Sequence, residues 1–280
     1  MRKSATAVSL QPAGSGNQET SSKGFNHQVS TVYWNPYRRG KSMNRKMVRT
    51  ITLGTFALVA VLCAARPGRA ADAKTPYASM APLDQYLMAD RNAEIALARS
   101  AAPDAISRDA KILVLGRYAY ETAVEGKNGF VCVVERGWMS PSDAPEFWNP
   151  KIRGPICFNP PAARSVLPAT YKRTEMVLAG RTRAEIIEGN KAAFEKGELP
   201  PLEPGAMSYM MSKGAYLTDN DDHNVAHLMF YAPPLDGKAW GADLPKSPVM
   251  LNPQFKGAQP IDVFVVPVGR WSDGSVAPVM

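Results

Sequence analysis

The feature that most limits what this chain can fold into is an export signal that starts more than forty residues inside it. Basic Arg45, Lys46 and Arg49 precede an apolar run from Ile51 to Ala65, and small Gly68 and Ala70 follow at cleavage-site spacing. That is the order of parts in a secretory signal peptide. The run is too short for the roughly twenty residues a membrane-spanning helix needs, and helix-breaking Pro67 and Gly68 follow it directly. Residues 43–70 therefore read as the signal, cleaved near Ala70 or Ala73, and 71–280 as a single periplasmic or secreted domain with no stable membrane anchor. Residues 1–42 are rich in Ser, Gly, Asn and Gln without apolar periodicity. They read as a disordered extension, upstream of a true start at Met43 or Met47.

The signal also corrects the charge. The whole chain has 33 basic and 25 acidic side chains, a net of +8 that would suit a nucleic-acid partner. Residues 1–70 hold 11 of those basic residues against Glu19 alone, leaving 22 basic and 24 acidic in the remainder, a net of −2. No Lys/Arg-rich run is left there to bind phosphates, so nucleic acid is disfavoured.

Removing the signal removes Cys63 and leaves Cys132 and Cys157. An even pair in an oxidising compartment reads as a disulfide. The competing use, a thiolate nucleophile paired with His223 or His227, has no flanking motif to support it.

Leu83, Tyr86, Leu87, Ala93, Ala96 and Leu97 recur at helical spacing, so Pro82 to Ala101 reads as an amphipathic helix. Three β-type runs follow, Lys111 to Leu115, Tyr118 to Val124 and Phe130 to Glu135. Asn128-Gly129 between the last two is a hairpin signal, and the three read as a meander. Six prolines between Trp138 and Pro161 read as a long loop rather than a helix or an inner strand. A helix around Ala162 to Ala179, disturbed by Pro168, precedes a second that opens on the capping-box spacing of Thr182 and Glu185 and ends at Gly197. Strands are expected near Met207 to Met211, Val225 to Tyr231, Val249 to Leu251 and Ile261 to Val268, with Pro267 marking a free edge or an end. Helices and strands are segregated rather than alternating. The expected fold is α+β: one domain with an antiparallel sheet, built from the meander and C-terminal strands, packed by about three helices.

In order along the chain, Asn128-Gly129-Phe130-x-Cys132, Cys157-Phe158, Ser208-Tyr209-Met210-x-Ser212, His227-Leu228-Met229-Phe230-Tyr231 and Val266-Pro267-Val268 resemble a group of uncharacterised secreted bacterial proteins. The resemblance implies export and a single domain. It carries no activity and no catalytic residues.

The densest polar run is Asp219 to Asn224, followed by His227. His223 and His227 have a zinc-like spacing, but on a strand residues four apart lie about 13 Å from each other, too far to share a tetrahedral metal. No metal and no cofactor is expected, with the His223/His227 pair as the alternative. His227 alone, beside Asp221 or Asp222, would make a general base. Trp138, Phe147 and Trp148 in the proline-rich loop suit contact with sugars or peptides if exposed, or cover the core if buried. Common hydrolase, phosphate-loop and haem motifs do not occur in the exported part. The leading expectation is a non-catalytic domain that binds a small molecule, glycan or protein through the loop from Trp138 to Pro161. The alternative is an extracytoplasmic hydrolase using His227 with an acidic partner.

Overall fold

The computed structural model describes residues 77–141, 144–219, 225–252 and 259–278. The expected extension, signal and cleavage site, and Asp221, Asp222 and His223, lie outside the described residues. Within them the chain forms an eight-stranded, mostly antiparallel sheet and five helices, an α+β domain. No helix among the described residues is long and apolar enough to cross a membrane.

The strands are β1 (Lys111–Leu115), β2 (Tyr120–Val124), β3 (Val131–Glu135), β4 (Gly154–Phe158), β5 (Met207–Met210), β6 (His227–Ala232), β7 (Met250–Asn252) and β8 (Asp262–Pro267). They lie side by side in the order β2-β1-β3-β4-β5-β6-β8-β7, with β1 and β3 parallel and the other neighbours antiparallel.

The order of the first three strands departs from a meander. β1 lies between β2 and β3, so the Asn-Gly turn does not close a hairpin. Burial explains the placement. β1 and β3 are buried on both faces, whereas β2 carries exposed Glu121 and Thr122 and suits an edge. The turn instead carries the chain past the start of β1: Lys127 N–H donates to the Asp109 carbonyl at 2.7 Å, and Asn128 Nδ2 to that of Ile106 at 2.8 Å. Gly129, at φ 78°, takes the left-handed conformation this path requires.

A second correction concerns the proline-rich segment, which contains an inner strand. β4 is buried at every position and is paired with β3 along its length. Pro155 is tolerated there because β5 pairs only with Cys157 and Phe158, so no partner on that side needs the missing N–H. Pro267 closes β8, which is paired on both sides further back, so the strand ends there rather than offering a free edge.

The helices are α1 (Arg91–Arg99), α2 (Asp104–Ser107), α3 (Pro160–Ser165), α4 (Leu167–Leu178) and α5 (Arg183–Glu195). The expected first helix begins later than its apolar pattern, because the Asp90 side chain caps it by accepting from the N–H groups of Asn92 and Ala93. Pro168 divides the next into α3 and α4 and occupies the first turn of α4, where proline costs no hydrogen bond. α5 carries the Thr182/Glu185 capping box.

Alternation along the strands sorts the core onto two faces. Leu113, Val133, Ile156, Phe158, Met229, Tyr231 and Val263 pack with Ala162, Val166 and Leu167 of α3 and α4. Ile112, Cys132, Val134 and Cys157 pack on the opposite face with Ala98 of α1 and with Ala101 and Ala102 just beyond it. Cys132 and Cys157 are directly opposite in the β3/β4 register and are joined by a disulfide.

Candidate functional site

Trp138 and Trp148 are not an exposed platform. Trp138 is fully buried and Trp148 retains 5% of its surface; with Phe147 they pack against Tyr86, Val177 and Ile186. A buried indole N–H usually finds a partner. Trp138 Nε1 donates to Thr174 Oγ1 of α4 at 3.1 Å. These rings anchor the underside of the loop from Trp138 to Pro161, whose other end is tied through Cys157 to β3.

The upper side of the same loop is polar and meets the chain entering the acidic run. Asn149 and Lys151 approach Asp219, and Glu146 accepts from Thr218 Oγ1 at 3.1 Å. Tyr216 bridges to Arg153 through paired backbone hydrogen bonds of 2.8 and 2.9 Å. Asp219 Oδ1 accepts from Tyr216 Oη at 2.5 Å and from Lys151 Nζ at 3.1 Å, and its Oδ2 accepts from Tyr77 Oη. Burial alone would raise this carboxyl, but hydrogen bonds from Tyr216, Tyr77, Lys151 and Asn149 outweigh it and hold the group well below the usual carboxylate range. One ionised carboxylate thus ties together the chain at Tyr77, the proline-rich loop and the segment 216–219. The fold joins the two regions that the sequence singled out, through Asp219 and the loop's polar side rather than through its tryptophans.

His227 occupies β6 opposite Met210 on one side and Pro267 on the other. It is 8% exposed, and burial lowers its pKa. Nδ1 lies 2.7 Å from the Val225 carbonyl. A carbonyl only accepts, so Nδ1 carries the proton and Nε2 of the neutral ring keeps its lone pair. Among the described residues, no three His, Cys, Asp or Glu side chains are grouped to hold a metal ion.

The end of β3 holds a charged pair that sequence reading missed. Glu135 and Arg136 are consecutive, so the pleat sends them to opposite faces. Arg136 goes to the α1 face, where Nη2 meets Glu94 Oε1 at 2.7 Å and Nε and Nη1 donate to the carbonyls of Tyr86 and Val134. Glu135 goes to the α4 face, where Thr170 Oγ1 donates to it at 3.4 Å. Burial pushes its carboxyl up to about 7 against the opposing pull of Arg173 and Thr170. The signal that could have found it is the period of two: Val131, Val133 and Glu135 must share one face. Three strand spacings of about 4.8 Å separate β3 from β6, so Glu135 and His227 sit on strands roughly 14 Å apart and do not form an acid–base pair.

Comparison with known proteins gave no match: no family model, curated protein or solved structure is similar to this chain at a significant level.

Proposed function

We propose that this chain is an exported, non-catalytic binding domain that takes a hydroxyl-rich ligand, a glycan, where the proline-rich loop meets the segment 216–219. The carrying observation is the fixed polar cluster around Asp219. Tyr216 is 39% exposed and Lys151 is exposed, yet both are held by the Asp219 carboxylate, so little side-chain entropy is left to lose on contact. Phenol faces with nearby charged hydrogen-bonding groups suit sugar rings, which present apolar faces and hydroxyl edges. The internal signal, the Cys132–Cys157 disulfide and the resemblance to secreted bacterial proteins support export to the periplasm or beyond.

The test is retention of the exported chain on insoluble polysaccharides: peptidoglycan sacculi, chitin and cellulose. Retention on at least one, weakened tenfold or more by Tyr216→Ala and by Lys151→Ala, is the expected result. No retention, or retention indifferent to both variants, overturns the proposal.

A second reading rests on the Val225 carbonyl, which leaves Nε2 of His227 unprotonated, as a general base requires. In that reading Asp221 or Asp222 supplies the acidic partner of a hydrolase. Release of reducing sugar from the retained polysaccharide, abolished by His227→Gln, would favour it; retention without release favours the binding domain.

A further inference from the structure

We propose that the outward face of Trp240 is a second sugar subsite, a flat platform on which one pyranose ring of a polysaccharide stacks. The inference rests on the glycan reading and adds to it a contact on a different part of the fold, over β8.

The sequence suggested sugar contact for Trp138 and Trp148, and both are buried. Trp240 is the opposite case. It is 48% exposed, yet its ring lies against the ring of Phe264, with centroids 4.4 Å apart and an angle of 14° between the planes. Phe264 is fully buried on β8, between Phe230 of β6 and Leu251 of β7 in register. One face of the indole is therefore spent on the core. The exposed half of its surface is the other face and the ring edges. Among the described residues the indole N–H donates to no group, which leaves it for a ligand hydroxyl.

The platform is fixed before anything lands on it. Trp240 ends the short 3-10 helix Gly237–Trp240, which the Asp236 side chain caps by accepting from the Lys238 N–H at 3.0 Å. Gly241, at φ 71°, turns the chain back, and the N–H groups of Gly241 and Ala242 close on the carbonyls of Lys238 and Gly237 at 2.9 Å each. The segment is tied down at three further points. Leu235 N–H donates to Asp262 Oδ2 at 2.9 Å, Asp243 N–H to the Val249 carbonyl at 3.0 Å, and Leu251 N–H to Asp243 Oδ1 at 3.4 Å. Gly237 lies so close to β7 that a Cβ there would come 3.0 Å from Leu251 Cδ2. A ring held through its backbone and its rear face has little freedom left to lose on contact.

Area and charge select the occupant. The C–H groups of a pyranose carry partial positive charge and lie flat on the negative face of an aromatic ring, while the sugar's hydroxyls stay at the rim for polar neighbours. Residues 235–249 carry Asp236, Lys238, Asp243 and Lys246, two of each sign and no net charge. A loop that docks on anionic lipid relies on an excess of basic residues, and this segment has none. The open area is also small. A tryptophan side chain covers about 150–250 Å² in all, so the exposed 48% is roughly 100 Å². That is the scale of one ring face, far below the roughly 800 Å² per partner that a stable protein interface buries. Leu244, 45% exposed, is the one other large apolar side chain of this segment left open to a similar extent.

The experiment repeats the polysaccharide retention assay with three substitutions at this position. Trp240→Tyr keeps a flat ring and should stay within about threefold of the wild type, whereas Trp240→Ala should weaken retention about fivefold or more. Trp240→Leu keeps Phe264 covered without offering a flat face, so its equal loss is read from a folded chain. The direct readout is the indole Nε1–H NMR signal of Trp240, identified by its absence in Trp240→Tyr. It should shift when the exported chain is titrated with a soluble fragment of the retained polymer: chitotetraose, cellotetraose or a solubilised peptidoglycan strand. The buried Trp138 signal should stay in place. Retention lost in Tyr216→Ala but unchanged in Trp240→Leu and Trp240→Ala overturns the platform and leaves the glycan reading standing. No retention of the wild-type chain overturns both. An unmoved Trp240 signal overturns the platform, as does phosphatidylglycerol vesicle binding, or a dimer in sedimentation, that Trp240→Leu abolishes; the ring then serves a membrane or a second copy of the chain.

Discussion

The Glu94–Arg136 pair is the sharpest test of how this fold is held together. Its side chains are 2% and 0% exposed, and Glu94 Oε1 accepts from both Arg136 Nη2 and the Leu115 N–H. Glu94→Ala would leave a buried guanidinium without its counter-charge and a buried amide without its acceptor. Breaking one side of such a pair costs about 3–5 kcal/mol, because desolvation of the remaining charge is no longer offset. For a domain of this size that corresponds to a fall in melting temperature of roughly 6–20 °C. Glu94→Gln keeps both hydrogen bonds in shape and loses only the charge, so it should cost less, about 1.5–3 kcal/mol. The double variant Glu94→Leu/Arg136→Met removes the stranded charge and should be at least about 1 kcal/mol more stable than Glu94→Ala. It will not match the wild type, since the Tyr86 carbonyl also loses its donor. The assay is urea unfolding of the oxidised protein, with midpoints compared at equal slope. A Glu94→Ala cost below about 1 kcal/mol, or a double variant equal to the sum of the singles, would refute this account of the pair.

Glu135 keeps a proton in the folded state that the unfolded chain releases, with its carboxyl near 7 against an ordinary 4.5. Its stabilising contribution is complete below about pH 4.5 and is lost as pH rises through 7, up to roughly 3 kcal/mol; Glu135→Gln should match wild type at pH 4 and exceed it at pH 8 in urea midpoints. His227 titrates with the opposite sign: burial lowers its pKa, so its contribution is present above about 6.5 and is lost as pH falls. His227→Gln should therefore flatten the acid side of the stability curve. Thiol titration of residues 71–280 under denaturing conditions should find no free thiol until reductant is added, and replacing Cys132 and Cys157 by Ser should cost roughly 3–4 kcal/mol on the chain-entropy account. A Cβ at Gly137 would lie 2.6 Å from the Glu146 carbonyl and 2.9 Å from that of Asn149, so Gly137→Ala should push the proline-rich loop outward, cost about 1–3 kcal/mol and weaken polysaccharide retention.

Local signals in the sequence were read well where they act locally. The capping box at Thr182 and Glu185 and the strand runs near Met207, His227 and Ile261 depend on neighbours a few residues away, and the structure has them; the Cys132–Cys157 disulfide, 25 residues apart, was legible because only two cysteines are left to pair. What was not legible depends on distant partners. The Asn-Gly turn is a hairpin signal only if its flanking strands pair, and here β1 takes the place between them. Pro155 argues against an inner strand unless one neighbour stops short, as β5 does, and no local pattern records where β5 ends. Tyr77 and Lys151 carry no motif at all; 68 residues separate Lys151 from the carboxylate it meets.

The same distinction explains why Glu135 escaped notice while His227 did not. A histidine beside an acidic run is conspicuous in composition, yet its ring is spent in part on a backbone carbonyl one turn of the pleat away. A glutamate next to an arginine looks like an ordinary surface ion pair. On a strand, however, neighbours cannot pair, because the pleat sends them to opposite faces. Each must then find its own compensation. Arg136 finds Glu94 and two carbonyls, and is satisfied. Glu135 finds one long hydrogen bond and the charge of Arg173, and burial pushes its carboxyl up to about 7. A strand that ends in adjacent opposite charges therefore asks whether both faces can satisfy them; here the Arg136 face does so with a full ion pair, and the Glu135 face with Thr170 and the charge of Arg173.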